Sequence, residues 1–575
     1  MSGSLRRRTL LGAALVATGC ARVPTSGPVQ QVGTASPSQV TRGVEVRPVP
    51  PTPDAPPDVV VAGFIDALAS LEDGHGVARQ YLTEAAAQTW NPAAGVSVFD
   101  GDSRTTVTAG GQVVLQAALV GTLDARGHFT AAPAGTPFRQ VFAMTRVDGQ
   151  WRIATPPVGM VVSQYTLLHR FRPVDAWFFS HSGTMVPERA WLATGSLTPV
   201  HAVQALLAGP SAWLAPAVTT AIPVGAKLTA SSVAVAKGVA TVQLDDVAAL
   251  PNDQTLQVLQ QLAFTLTPNV AIDSLRVVVG GQPWVAPGQD PSGVIRLDAL
   301  RSPQSVPATD AGAVAAVVKG AVGRLDSSGT FRPLEGPLGT QPWKGKVSQV
   351  ALREGQAAIV DGSGTRLLTR DLDGGQVVLR LAGPALGRPQ VTGDGSVWVA
   401  SGGDGATALH RGAKGEALRA FAIPALAGAV VRAFSVAPDQ ARVAVVVARG
   451  GRSELGLLRL NGDAVDGYRA VPLVVAASAL DRIVDVGWSG PGELVILAAA
   501  TSQGQPSVYR VSVDGSQVTA VGPAGDQVLT SLVAMPQGEG LAARVLVSNG
   551  ALLRYGAAWR WAGISRDVTA IGPAN

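Results

Sequence analysis

Cys20 is the only cysteine in this 575-residue chain, and its surroundings equip it for one particular reaction. Arg6, Arg7 and Arg8 form a positive segment, Leu10 to Ala17 a short apolar core, and Thr18-Gly19 a small-residue approach to the thiol. The apolar run is far shorter than the ~20 residues that span a bilayer, so it reads as a removable export signal, residues 1–19. Small residues before a cysteine suit a lipoprotein signal peptidase. Ala17 stands at the third position before cleavage, where leucine is more usual. Cys20 is therefore expected to become an S-diacylglycerol cysteine with an N-palmitoyl group, the two acyl chains of the diacylglycerol alone giving the two hydrophobic anchors that stable membrane attachment needs. The bland alternative, a signal core ending in a chance cysteine, would leave a free thiol in an oxidising compartment. Arg7-Arg8-Thr9-Leu10-Leu11 also resembles a twin-arginine signal, so the export route stays open.

Other chemistry is sparse. A single cysteine excludes an internal disulfide framework and a zinc site built on thiolates. Histidines stand at 75, 128, 169, 181, 201 and 410, with no His-Glu-x-x-His pair. No Gly-x-Ser-x-Gly elbow, P-loop or dinucleotide-binding glycine motif occurs. The nearest approach to a catalytic cluster is Ser180-His181-Ser182 with Asp175 close in sequence, and a solvated polar turn explains it equally well. Gly402-Gly403-Asp404-Gly405 is a weak match to a calcium loop. The expectation is a protein that is not an enzyme, with no catalytic residue, cofactor or metal.

Charged residues make up 15% of the chain and hydrophobic ones 46%, enough for large cores. A net charge of +5 is small for this length, and no basic stripe or aromatic platform accompanies it. That favours weak attraction to an anionic membrane or wall and argues against nucleic acid. Residues 20–57 hold the lipid-bearing cysteine and a tether with prolines at 24, 28, 37, 48, 50, 51, 53, 56 and 57. Extended at ~3.1 Å per residue, it could hold a folded body up to roughly 100 Å from the bilayer.

Ordered elements begin at Asp58. Apolar residues at Val60, Phe64, Ile65, Leu68 and Leu71 predict a helix over 59–71. A second helix is expected over 77–90, with Tyr81 and Trp90 as core residues. Strand alternations follow over 95–99, 105–123, 138–147 and 151–155. Helices followed by a meander make residues 58–172 a small α+β domain resembling the nuclear-transport-factor (NTF2-like) type. The next body, residues 173–300, has strand patterns over 175–180, 185–194, 228–234, 239–244 and 274–279. Its helices run from Thr198, a plausible N-cap, to Leu207 and over 255–266.

Residues 310–575 repeat. Val350, Val391, Val436, Val486 and Val533 recur at steps of 41, 45, 50 and 47, each before a Gly-, Asp- or Pro-rich turn. An apolar strand follows each turn, and then a strand carrying Arg370, Arg411, Arg459, Arg510 or Arg554. Such units are those of an all-β propeller. Arg324 marks a unit that lacks its start, and Val568 to Gly572 a start that lacks its remainder. Joining the two closes a ring of about six blades. The repeated arginines are expected on solvent faces between blades, and the Asp-Gly pairs at 361, 373, 394, 404 and 514 in hairpin turns.

Two resemblances then arise. Leu206-Leu207-Ala208-Gly209-Pro210-Ser211, Ala221-Ile222-Pro223-Val224-Gly225, Gly238 to Leu244 and Gln260 to Leu266 follow one another as in the GerMN domain of cell-envelope proteins. Val23-Pro24-Thr25-Ser26-Gly27-Pro28-Val29 after the lipid site, Ala78-Arg79-Gln80-Tyr81-Leu82-Thr83, and the domain order together resemble the LpqB lipoproteins of actinobacteria. That resemblance implies a membrane-anchored, extracytoplasmic, non-enzymatic partner of an MtrB-type sensor histidine kinase. It would bind the kinase's extracytoplasmic region and modulate the MtrA response regulator, affecting envelope homeostasis and division. The alternatives are a scaffold that binds a wall glycan or lipid, and an envelope hydrolase.

Overall fold

The computed structural model describes residues 48–574, except 70–73, 194–197, 230–232, 249, 267–270, 287, 301–311, 342, 344, 354, 404–405, 422, 476–477, 501–503, 523–524, 536–542 and 556–559. Cys20, the export signal and most of the tether lie outside the described residues. So does Asp404 of the calcium-loop match.

In the first domain, α1 (Pro57–Ala67) starts on a proline and buries Val60, Val61, Phe64 and Ala67. A proline at the first turn removes only an N–H that would have no helical partner. The single helix expected over 77–90 is two short ones, α2 (Gly76–Gln80) and α3 (Glu84–Thr89). Strand-like pairing interrupts them: Thr83 N donates to Ile153 O at 2.9 Å, and Ile153 N to Tyr81 O at 2.9 Å. Thr83 Oγ1 then caps α3 by accepting from Ala86 N at 3.3 Å. Tyr81 and Trp90 are both buried, as expected of core residues.

The strands are β1 (Val96–Phe99), β2 (Arg104–Val107), β3 (Val113–Leu123), β4 (Phe129–Ala131), β5 (Pro137–Val147), β6 (Gln150–Thr155) and β7 (Met160–Ser163). They form one sheet in the order β6-β5-β3-β1-β7, with β2 and β4 also paired to β3. The long strand expected over 105–123 folds back at Thr108–Gly111, making β2 and β3 a hairpin. The helices pack on this sheet through a core that includes Phe64, Trp90, Phe142 and Ile153. The domain is α+β.

A short helix α4 (Gln164–Arg170) leads into the second domain. There β8 (Phe171–Ser180) and β9 (Met185–Ala193) pair antiparallel, and Val218–Thr219 adds a third strand. A second sheet is built on parallel strands Val239–Asp245 and Ser274–Val279. The crossover between them is α6 (Asn252–Leu266), which packs beside α5 (Thr198–Leu207). Gly209, at φ +77°, closes α5 with its N–H on Leu206 O at 3.1 Å. A residue with a Cβ is strained in that left-handed conformation.

The third body is a six-bladed propeller of four-stranded antiparallel sheets. Val350, Val391, Val436, Val486 and Val533 all lie on the innermost strands of blades 2 to 6, and all are buried. The innermost strand of blade 1 is C-terminal: Val568–Pro573 pairs antiparallel with Val314–Val318. The ring is thus closed by joining the two ends of the propeller segment.

The arginines differ from expectation. They occupy the third strands, but Arg510 alone of the six is exposed, and Arg370 is buried. Arg370 donates to Glu335 O and Pro337 O of the blade 1–2 connection at 2.7 and 3.2 Å. Arg554 reaches Ser327 O of blade 1 at 3.0 Å. Arg411 bridges Asp394 and Asp463, on blades 3 and 4, at 3.0 and 3.1 Å. Their heads satisfy carbonyls and carboxylates between blades, which a strand pattern alone does not reveal.

Asp394, in one of the expected Asp-Gly turns, shows the strength of these ties. Burial alone would raise its carboxyl. Hydrogen bonds from Thr392 Oγ1, Ser396 N, Ser396 Oγ and Arg411 outweigh that and lower it to about 2. A depressed carboxyl stabilises the fold above its ordinary value of 3.8, and this contribution is lost as pH falls toward 2. Allowing for its partial exposure, Asp394→Asn should cost about 1 kcal/mol at pH 6, with the deficit vanishing between about pH 4 and pH 2. Urea midpoints of the two proteins across that range check it, and a constant deficit would contradict it.

At the propeller axis, Arg388 lies in the connection that brings the chain from the outer edge of blade 2 to the innermost strand of blade 3. Its guanidinium makes a two-pronged pair with Asp485 of blade 5, at 2.7 and 2.9 Å, and donates to Leu532 O of blade 6 at 2.8 Å. Asp485 also accepts from Leu532 N at 2.8 Å and Ser531 Oγ at 3.1 Å. One side chain therefore ties blade 3 to two blades on the far side of the ring.

Candidate functional site

The residues that could have formed a catalytic cluster do not converge. Ser180, His181 and Ser182 form the β8–β9 turn, where Ser180 Oγ accepts from Thr184 N at 3.1 Å and lies 2.9 Å from Ser182 Oγ. His181 Nε2 donates to Pro216 O at 3.0 Å. Asp175 is paired instead with Arg189, at 3.0 and 3.3 Å. Among the other histidines, His128 meets Asp124 at 3.1 Å, His169 stacks on Tyr165, and His410 Nε2 lies 2.7 Å from Ser401 Oγ. Burial lowers the pKa of His201 and His410. Among the described residues, no three His, Cys, Asp or Glu side chains are grouped to hold a metal ion.

Polar side chains do converge where the three domains meet. Strand β9 supplies the centre. Glu188 accepts from Ser211 N at 2.6 Å and from Ser211 Oγ, with His128 Nε2 of the first domain 3.8 Å away. Arg189 and Trp191, two residues apart, face the propeller. The Trp191 indole belongs to the first domain's core, and its N–H donates to Asp514 of blade 5 at 3.1 Å. Burial works against the charge on Arg189, and the adjoining Asp175 more than offsets it, raising its pKa.

The propeller answers with three arginines. Arg442, on blade 4, donates to Pro187 O at 3.2 Å and to Pro491 O at 2.7 Å, pairs with Asp439, and lies 5.0 Å over the Trp488 ring. Arg459 donates to the Trp213 carbonyl, and Arg469 lies 4.6 Å over the Trp213 ring. Burial lowers the pKa of Arg469, while Asp514 and Glu188 oppose that effect. Trp213 itself packs against both the second domain's core and a propeller core. A buried guanidinium needs carbonyl or carboxylate partners, so this seam positions the domains rather than leaving them as beads on a string. Sequence patterning singles out Arg459, Asp514, Asp175 and His128 for other reasons, and none of the group as a domain junction. The available signal was charge on both faces of one strand, Glu188 beside Arg189.

Exposed apolar side chains include Tyr165 on α4, at 70%, whose ring stacks on His169 at 3.9 Å. Leu168, next to it on the same helix, is 38% exposed. Among the described residues, no helix is long and apolar enough to cross a membrane.

Three family descriptions match successive parts of the chain. Residues 50–168 match the N-terminal domain of lipoprotein LpqB, residues 176–284 a domain described as sporulation and spore germination, and residues 288–567 the LpqB beta-propeller domain. Lipoprotein LpqB of Cutibacterium acnes is 33% identical over 98% of this chain and 98% of its own. That of Thermobifida fusca is 27% identical over 91% of this chain and 92% of its own. Among solved structures, a chain of a nidogen/laminin complex matches 45% of this chain and 97% of its own, at 11% identity and a TM-score of 0.35. The propeller assignment stands on the strand order described above and not on that likeness. With a relative above 30% identity along nearly the whole of both sequences, the chain belongs to the LpqB lipoprotein family.

Proposed function

We propose that this protein is an extracytoplasmic lipoprotein, lipidated at Cys20, that binds and modulates an MtrB-type sensor histidine kinase and so influences cell-envelope homeostasis and division. It performs no catalysis of its own in this account. The observation that carries the proposal is family membership along 98% of the chain, because the kinase role is what the family resemblance implies. Two features support it. The Pro-rich tether gives the reach that a membrane-held partner requires. Helix α4 presents Tyr165 and Leu168 side by side to solvent, the kind of aromatic and apolar surface that protein partners bury.

The anchor makes a quantitative prediction. Holding two partners on one membrane raises their effective concentration, which can add a factor of about 100 or more to apparent affinity. In proteoliposomes containing the kinase, lipidated protein should alter autophosphorylation at low concentration. Cys20→Ala, exported but unlipidated, should need at least ~100-fold more protein for the same effect. Equal potency of the two, or normal lipid labelling of Cys20→Ala, would contradict the proposal. A second reading, a scaffold that binds a wall glycan, is favoured by an open groove on the sixth blade.

A further inference from the structure

The outer half of blade 6 carries a groove of about 790 Å3. That volume lies inside the range of about 300–1,000 Å3 typical of small-molecule sites. Its lining includes the apolar side chains of Ala551 and Leu553 and the bare backbone of Gly563. A Cβ added to Gly563 would meet only Leu553 Cδ2, at 3.9 Å. The missing side chain is thus not demanded by packing, and its absence keeps the groove open.

Trp561 lines the groove and is half-buried. Its indole N–H points at Val521 O and Gly522 O, at 3.3 and 3.4 Å, and Tyr555 packs against it with ring centres 5.2 Å apart. The ring is therefore held in place before any ligand arrives, which lowers the ordering cost of binding. Around the rim stand the amides of Gln527 and Asn549 and the adjacent opposite charges of Arg566 and Asp567, all exposed. Asn549 Oδ1 accepts from Ala551 N at 3.0 Å, which orients its carboxamide.

This set of groups selects a ligand class. Arg566 and Asp567 oppose each other, and Asp567 Oδ2 lies 3.7 Å from the exposed Lys319 Nζ, so the rim mixes both signs and lacks the cluster of cations that a phosphate or a nucleic-acid strand requires. An apolar ligand would want enclosure, and this groove is open. A pyranose has an apolar C–H face suited to an aromatic or flat apolar surface, and hydroxyls that both donate and accept, as amide, guanidinium and carboxylate groups require. We infer that the blade 6 groove is a binding site for a short neutral oligosaccharide, with Trp561 as its apolar platform and Gln527, Asn549, Arg566 and Asp567 as its hydroxyl partners. The inference rests on the glycan-scaffold reading and is independent of the kinase reading.

The test uses the full chain carrying Cys20→Ala, so that it is purified without lipid, and chitotetraose as the probe. Calorimetric titration should show saturable one-site binding with a Kd of about 0.1–1 mM. Gly563→Val, whose Cβ would meet only Leu553 Cδ2 at 3.9 Å, should weaken binding at least tenfold while leaving the melting temperature and kinase binding unchanged. Asn549→Ala and Trp561→Ala should do the same to binding. Because Trp561 also packs between blades 5 and 6, Gly563→Val and Asn549→Ala decide the matter if Trp561→Ala misfolds. No saturable binding at about 5 mM sugar, a level at which even a 1 mM site is mostly filled, would overturn the inference. So would undiminished binding by Gly563→Val.

Discussion

Asp485→Ala is expected to destabilise the propeller by about 3–5 kcal/mol, because it leaves the Arg388 guanidinium at the axis without its carboxylate. Both partners are largely removed from water, with side chains 15% and 7% exposed for Arg388 and Asp485. The two remaining acceptors, Ser531 Oγ and Leu532 O, are neutral and cannot replace a charge. For a domain of this size the loss corresponds to a melting temperature roughly 10 °C lower. Arg388→Ala should be destabilising by a similar mechanism, since Asp485 then keeps only neutral donors, the backbone N–H groups of Val486 and Leu532 and the Ser531 hydroxyl. Replacing both residues by apolar ones of similar volume should recover much of the loss, because the penalty lies in the orphaned charge and not in the missing attraction. Thermal and urea unfolding of the two single variants and the double variant measures this. A loss below about 1 kcal/mol for both single variants would mean that the axis is wet and the pair screened.

The second large effect concerns ring closure. Deleting residues 568–575 removes the innermost strand of blade 1 and leaves the edge of Val314–Val318 unpaired. Val314, Ala315, Ala316 and Val317 are all buried, so the deletion would expose an apolar edge strand, a template for aggregation. The truncated chain should be recovered mainly as aggregate, and any soluble fraction should unfold without a single cooperative transition. Gly572→Val is the milder version. A Cβ built on Gly572 would collide with the Val350 carbonyl of blade 2, so the strand could not seat without shifting that blade. Size-exclusion chromatography and calorimetry of both variants check this. A truncated protein that stays monomeric and melts like the intact one would show that the ring does not depend on this strand.

The repeat was readable because each blade repeats the same local chemistry. A buried valine strand, a polar turn, an apolar strand and an arginine strand recur within 50 residues, and every step uses neighbours in sequence. The blade 1 closure was readable for the same reason, from two partial units. What the arginines touch was not readable, since their acceptors lie on other blades. Arg324 donates to Ala574 O, 250 residues away, and Arg388 finds Asp485, 97 residues away. The split of the helix expected over 77–90 has the same origin: the apolar spacing is helical, but Leu82 pairs with Ile153 and takes the backbone with it. Tertiary pairing outweighs a local pattern when the local helix is short.

The domain junction was the least readable feature. Each of Glu188, Arg189 and Trp191 is ordinary in a strand, and only the fold brings Asp514 to the Trp191 indole across 323 residues. Its consequence is practical. Deleting the propeller would strip partners from Arg189, Trp191 and Trp213 and disturb the second domain, so loss of binding in such a deletion would not locate a contact surface. Point substitutions on exposed positions such as Tyr165 and Leu168 avoid that confusion.

The most direct measurement is therefore a titration of the folded body, residues 48–575, into the purified extracytoplasmic region of the cognate MtrB-type kinase, repeated with Tyr165→Ala and Leu168→Ala. Saturable binding at micromolar concentration is expected, weakened in the two α4 variants, whose melting temperatures stay at the wild-type value. Absence of binding at ~100 μM, weaker than about −5 kcal/mol, would contradict the kinase reading and leave the glycan groove of blade 6 as the functional surface to pursue.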